Sequence, residues 1–181
     1  MRIIAGQWRG RRLVAPQGEA TRPTADRTRE ALFSMLASRI GSFDGLAAGD
    51  FFAGSGALGL EALSRGAASC LFVEHDGDAL AALRANARTL GVAADVRAQS
   101  VLALGPASAP LDLVLLDPPY RSGAGVVALE RMLRLGWVGP ASWISLETAA
   151  DEPVAVKRLE IVAERRVGKA KLNLLRVEAD G

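Results

Sequence analysis

The stretch Asp50-Phe51-Phe52-Ala53-Gly54-Ser55-Gly56-Ala57-Leu58-Gly59 constrains the fold more than any other part of the chain. A short apolar run leads into it, and an amphipathic stretch from Ala57 to Arg65 leads out. That order reads as strand, tight turn, helix. Glycines let a backbone approach a ligand closely and adopt positive φ. The helix that follows offers unpaired N-terminal amides. The spacing Gly54-x-Gly56-x-x-Gly59 matches the dinucleotide fingerprint, yet the turn alone does not say which ligand it holds.

The segments around this turn alternate. Downstream, Cys70 to Val73 reads as a second strand ending at Glu74-His75-Asp76. Asp78 to Leu90 reads as a helix with Leu80, Leu83, Ala87 and Leu90 on its buried stripe. Asp95 to Ala98 is a third strand. Leu111 to Leu116 is a fourth, nearly all apolar, as a strand covered on both faces should be. A helix over Gly125 to Leu135 and a strand over Ser142 to Leu146 follow. Leu159 to Val167 and Leu172 to Val177 flank Gly168-Lys169-Ala170 and read as a closing antiparallel hairpin. The predicted fold is α/β, Rossmann-like, with a mostly parallel sheet. The 181 residues, half of them hydrophobic, suffice for one core with a small appendage.

That appendage is the N-terminal segment. Residues 1 to 40 hold eight arginines against three acidic residues, a local charge of +5 within a chain of +2. The rest of the chain is therefore mildly acidic. Arg2 to Gly6 and Gly10 to Val14 read as a short β element turning through Gly6 to Gly10. Trp8 sits in that turn, placed either to stack on a base or to cap the hairpin against the body. A helix from about Thr24, its N-cap, to Ser38 carries Ala31, Leu32, Met35 and Leu36 as an apolar stripe. Glu30 is expected to pair with one of its arginines. The division expected is residues 1–42 as a basic extension and 43–181 as the main domain. Such charge suits a phosphate backbone as partner.

Cys70 is the only cysteine and His75 the only histidine. The chain can form no internal disulfide and no multi-histidine metal site, and Cys70 reads as a small buried hydrophobe. No metal is expected. With no secretory signal or membrane-length apolar run visible, a cytoplasmic protein, monomeric and away from membranes, is the expectation.

In an open α/β sheet, ligands gather at the carboxyl ends of the strands near the reversal of strand order. Three signals fall at such ends: the glycine turn, Glu74, and Asp117-Pro118-Pro119-Tyr120. Glu74 lies where an acidic residue accepts the ribose hydroxyls of an adenosine cofactor, whether NAD or S-adenosylmethionine. The later motif separates the two. Two consecutive prolines stiffen the chain and donate no hydrogen bonds. Asp117 and the Pro118 carbonyl are acceptors for an NH2 group, and Tyr120 suits stacking on the ring that bears it. Nicotinamide chemistry asks for none of this. A P-loop is disfavoured too, because no Gly-Lys-Ser/Thr follows the turn.

Asp117-Pro118-Pro119-Tyr120 resembles the (Asp/Asn)-Pro-Pro-(Tyr/Phe) motif of exocyclic-amine N-methyltransferases. Asp50 to Gly59 resembles their cofactor motif. The stretches from Arg2 to Leu13, from Arg22 to Phe33 and from Gly59 to Ala67 resemble the RsmD family, bacterial 16S ribosomal RNA guanine-N2 methyltransferases. That resemblance implies a class I S-adenosylmethionine-dependent methyltransferase fold. Its target would be the N2 amine of a guanine in 16S rRNA, guanine 966, within an assembling small ribosomal subunit. The implied cofactor contacts are Asp50, Phe52, Ala53, Gly54, Ser55, Gly56, Gly59, Glu74, His75, Ser100 and Asp117. The implied catalytic set is Asp117, Pro118 and Tyr120. Arg2, Trp8, Arg9, Arg11, Arg12, Arg22, Arg27 and Arg29 would face RNA. Three positions depart from the family pattern. Ser34 stands where asparagine is usual, Gln99-Ser100 replaces a polar Asn/Asp segment, and Leu174-Leu175 replaces a Leu-Tyr ending. The alternatives are an amine methyltransferase of DNA adenine or protein glutamine, or a non-catalytic RNA-binding module. The last would leave Glu74 and Asp117 to Tyr120 without work.

Overall fold

A computed structural model describes residues 1–16 and 23–180. The elements run α1 (Pro23–Ile40), β1 (Ala47–Phe51), α2 (Ala57–Ser64), β2 (Ser69–Glu74), α3 (Gly77–Leu90), β3 (Asp95–Ala98), β4 (Leu113–Leu116), α4 (Ala124–Arg134), β5 (Trp143–Ala149), β6 (Leu159–Val167) and β7 (Ala170–Val177). One sheet has the order β3-β2-β1-β4-β5-β7-β6. The first five strands are parallel, while β7 runs antiparallel to both β5 and β6. This is the Rossmann-like class I methyltransferase arrangement, with strand order reversing between β1 and β4.

The physics of β4 shows how the sheet sits. All four of its residues are buried. Leu113 and Leu115 join a core containing Leu32, Phe33, Leu60, Phe72 and Leu83. Val114 and Leu116 join the opposite core, with Phe51, Leu129, Met132 and Trp137. The period-2 alternation of a strand thus feeds two apolar layers, each covered by helices. The stripe foreseen for α3 is buried. Asp76 caps that helix by accepting from the Ala79 amide at 2.9 Å, and Gly91 ends it with φ of 71°.

Boundaries shift where side chains divert the backbone. β4 starts at Leu113 because Asp112 turns aside to accept the Ala47 amide at 2.8 Å. Ser142 closes the preceding turn through Gly139 N–H and the Leu111 carbonyl, so β5 starts at Trp143. β5 continues to Ala149 because β7 pairs with it that far. α1 starts at Pro23, so Thr24 lies inside the helix rather than at its N-cap. The fully buried residues of its stripe include Phe33, while Met35 is only half-buried.

The N-terminal arm forms the expected antiparallel contact, an Arg2–Arg12 bridge. Ile3 and Leu13 sink into the core shared with Leu32, Phe33 and Leu36. The arm is fastened to α2 by buried polar groups. Glu61 accepts the amides of Ile4 at 2.9 Å and Ala5 at 3.0 Å. Ser64 donates to the Ala5 carbonyl at 2.7 Å and accepts the Trp8 amide at 3.1 Å. Gly6 is needed there: with φ of 89°, a Cβ would lie 1.9 Å from the Ser64 carbonyl oxygen. Trp8 is partly buried against the core, which favours the capping role over an open stacking platform.

Candidate active site

Three neighbouring strands end together. In register, Val73 of β2 lies beside Phe51 of β1, and Phe51 beside Leu116 of β4. Strands are spaced about 5 Å apart. The next residue of each, Glu74, Phe52 and Asp117, therefore emerges at one edge on either side of the strand-order reversal.

The glycine turn is held from both sides. Phe52, Gly54 and Gly56 all have positive φ, at 63°, 58° and 83°. The Ala53 amide donates to the Val73 carbonyl at 3.0 Å. Glu74 accepts the Gly54 amide at 2.8 Å through Oε1, and the His75 and Asp76 amides at 2.8 and 2.9 Å through Oε2. A carboxylate has about four acceptor positions, so one remains on Oε1 for a ligand hydroxyl. Glu74 thus shapes the turn as well as offering an acceptor there. His75 contributes its backbone to this arrangement, with an exposed side chain.

The three glycines do different work. A Cβ on Gly54 would meet nothing within 4 Å, so the space above the turn is open to a ligand. A Cβ on Gly56 would lie 2.2 Å from Leu83 Cδ1. On Gly59 it would lie 2.4 Å from the Phe72 ring and 2.7 Å from Cys70 Sγ. Gly56 therefore serves the close approach of α3 to the start of α2, and Gly59 the close packing of α2 on β2.

Asp50, expected among the cofactor contacts, lies beneath the turn at 1% exposure. Gly56 is the N-cap of α2 and has no side chain to cap with. Asp50 supplies the acceptor instead, taking the Gly59 amide at 2.9 Å through Oδ2. Asp50 and Gly59 are thus spent on each other. Its Oδ1 is buried without a hydrogen-bond partner among the described residues. Burial pushes the Asp50 carboxyl up to about 8; the Gly59 bond opposes this and nearby Glu74 reinforces it. Ser55 is buried, and its carbonyl accepts from Asn86 at 2.9 Å. Ser100 accepts the Leu102 amide at 3.2 Å, capping a short 3-10 turn after β3.

The Asp117 to Tyr120 turn is braced from below. Pro118 is buried against α4, where a Cβ on Gly125 would lie 3.1 Å from Pro118 Cγ. Ser122 donates to the Pro119 carbonyl at 2.7 Å. The Pro118 carbonyl accepts no hydrogen bond from the described residues. Asp117 is exposed. The Tyr120 hydroxyl donates to Glu147 Oε2 at 2.9 Å. Burial raises the Tyr120 phenol pKa first, and the Glu147 carboxylate raises it further, so it stays a donor. Glu147 was invisible in the sequence because it lies on β5, 27 residues away.

The arginines divide into two groups. Arg2, Arg9, Arg11, Arg12 and Arg27 are exposed, and Arg11 also donates to the Thr89 carbonyl at 2.8 Å. Arg22 lies outside the described residues. Arg29 is a correction: it is only 4% exposed and does not face a partner. It pairs with Asp26 at 3.0 Å and Glu61 at 3.3 Å, and donates to the Arg2 carbonyl. Asp26, three residues back, makes the ion pair that was expected of Glu30.

The comparisons with known proteins bear on this geometry. The family model described as "Conserved hypothetical protein 95" matches residues 1–176. Ribosomal RNA small subunit methyltransferase D of Escherichia coli is 37% identical over 185 residues, covering 100% of this chain and 92% of that protein. Its namesake from Haemophilus influenzae is 40% identical over 160 residues, covering 85% of this chain and 81% of that protein. The chain belongs to this family. Among solved structures, the methyltransferase yhhF of E. coli has a TM-score of 0.82 at 36% identity, covering 99% of each chain. A methylase of H. influenzae has a TM-score of 0.80 at 33% identity, covering 97% of each chain. As a member of the RsmD family, the protein is an S-adenosylmethionine-dependent methyltransferase. The residues fit that cofactor: an open turn at a helix N-terminus, and an acidic acceptor on the next strand.

Proposed function

We propose that this protein methylates the exocyclic N2 amine of a guanine in 16S rRNA of the small ribosomal subunit. The observation that carries the proposal is the position of Asp117 to Tyr120. This rigid turn, with a Pro118 carbonyl that accepts nothing from the described residues, stands one strand from the glycine turn. The substrate is an assembling subunit, met by the enzyme as a monomer in the cytoplasm. Among the described residues, no helix is long and apolar enough to cross a membrane.

S-adenosylmethionine, when bound, supplies an electrophilic methyl group. The glycine turn and Glu74 would hold it, with Ser100 near its adenine. The guanine must leave its stack to enter the site. Its amine lone pair is delocalised into the ring and is a poor nucleophile. Asp117 and the Pro118 carbonyl accept the two amine hydrogens, which orients the nitrogen and favours positive charge developing on it. Tyr120 stacks on the base plane, its ring held by Glu147. Alignment and electrostatics thus carry the rate, and the proton leaves to solvent.

The test is methylation of undermodified rRNA and of small subunits with labelled cofactor, followed by nucleotide mapping. Label on guanine N2 is expected. Label on DNA adenine or on a protein would overturn the assignment.

A further inference from the structure

We infer that the β6–β7 turn and Arg121 form a second RNA-binding surface, gripping the backbone beside the flipped guanine. This inference rests on the rRNA reading above. β7 runs antiparallel to β5, so the Gly168-Lys169 turn emerges at the same sheet edge as Asp117 to Tyr120. The Ala150 amide donates to the Lys169 carbonyl at 3.0 Å and fixes the turn there. Between the turn and the Tyr120 ring lies an open cleft of about 350 Å³, lined also by Arg121, Asp151, Arg166 and Lys169. A larger cavity of about 470 Å³ lies at the opposite sheet edge, by Ala47, Ser69 and Asp95, away from the chemistry.

The charges around this cleft point to a polyanion. Arg121 pairs with Asp151 at 2.7 Å. Arg166 and Lys169 are exposed and make no ion pair among the described residues. The target site itself presents Asp117, Glu147 and Glu152 close to Tyr120. Those carboxylates repel an incoming phosphate backbone, so cations beside them are needed to bring RNA in.

The N-terminal arm is badly placed for that task. Its tip, with Trp8 and Arg9, is pinned to Ser64, the last residue of α2. That is about 10 Å along the helix from the glycine turn, at 1.5 Å per residue. The arm can hold distant parts of the RNA while the hairpin turn holds the nucleotides next to the target. Extruding a base swings it about its own backbone, so phosphates beside it must be held.

The experiment compares wild type with Arg166→Ala/Lys169→Ala on undermodified small subunits. The expected result is a KM for the subunit raised roughly 10-fold and a log KM against log salt slope reduced by about 1–2. The Kd for S-adenosylmethionine should be unchanged. Arg166→Lys/Lys169→Arg should restore the wild-type slope. Arg84→Ala/Arg134→Ala, which removes the same charge from exposed positions outside both the arm and the hairpin turn, should move KM much less. An unchanged KM and slope, or an equal effect of the control pair, would overturn this inference while leaving the enzyme's activity intact. A wild type that methylates no rRNA would instead overturn the functional reading beneath it.

Discussion

Glu61 offers the sharpest test of how the arm is held. Its side chain is fully buried and takes four donors: the Ile4 amide at 2.9 Å, the Ala5 amide at 3.0 Å, Arg29 Nε at 3.3 Å and Arg65 Nε at 2.9 Å. Every acceptor position of the carboxylate is used. Glu61→Ala strands two backbone amides and leaves Arg29 with Asp26 as its only carboxylate among the described residues. Breaking a buried ion pair from one side costs about 3–5 kcal/mol. Each orphaned amide costs about 1–3 kcal/mol more, less whatever water entering the void restores. A net loss of about 4 kcal/mol is expected, against a total stability of about 5–15 kcal/mol for such a domain. Glu61→Gln keeps one carbonyl acceptor but sets an NH2 against donors, and should lose about 2 kcal/mol. Urea unfolding of both variants gives the two numbers. Amide hydrogen exchange at Ile4 and Ala5 reports whether the arm detaches before the sheet unfolds. If Glu61→Ala lies within about 1 kcal/mol of wild type and keeps protection at both amides, the reasoning fails. Apolar burial of Ile3 and Leu13 would then suffice to hold the arm.

Asp117→Ala should lower single-turnover methylation by roughly 100-fold while cofactor affinity changes little, because it acts on the amine; unchanged chemistry would remove Asp117 from the mechanism. Asp50 is protonated in the folded protein up to about 8 but ionises near 3.8 when unfolded. The folded state therefore holds the extra proton between those values, and stability falls as pH rises through them, by up to about 1.4 kcal/mol per unit. Urea titrations at about pH 5 and pH 8 should show a shallower loss for Asp50→Asn, and equal slopes would contradict the burial argument. Replacing Arg9, Arg11 and Arg12 together should weaken RNA binding and flatten its salt dependence while sparing the cofactor; binding indifferent to these changes would detach the arm from RNA.

The fold was legible because its signals are local. The apolar run of β4, the stripe of α3 and the Gly168-Lys169 turn each carry their own period or punctuation. That the candidate site's groups share one sheet edge was legible for a related reason. They lie within a few residues of strand ends, and parallel pairing brings those ends together. What the sequence hid were partnerships between distant residues. Tyr120 and Glu147 stand 27 positions apart, and Glu61 and Ala5 stand 56 apart. Asn86 holds Val14 across 72 positions while also donating to Ser55 in the glycine turn. Nothing in one dimension announces such bonds.

Arg29 is different, because the signal was present and charge obscured it. Helical spacing sets Arg29 on one face with Leu32, Phe33 and Leu36, at i+3, i+4 and i+7, all of which are buried. Arg27, two positions earlier, cannot share that face and is exposed. Counting both as a basic surface treats charge as if it decided burial. Position decides it, and a partner makes it tolerable: Glu61, on the facing helix, is the matching charge inside. The eight arginines of the first forty residues therefore overstate the phosphate contacts offered to RNA, since Arg29 is spent within the core on Asp26 and Glu61. That deficit is a further reason for the cations at the β6–β7 turn to contribute to RNA binding, because the arm alone presents fewer phosphate contacts than its composition suggests.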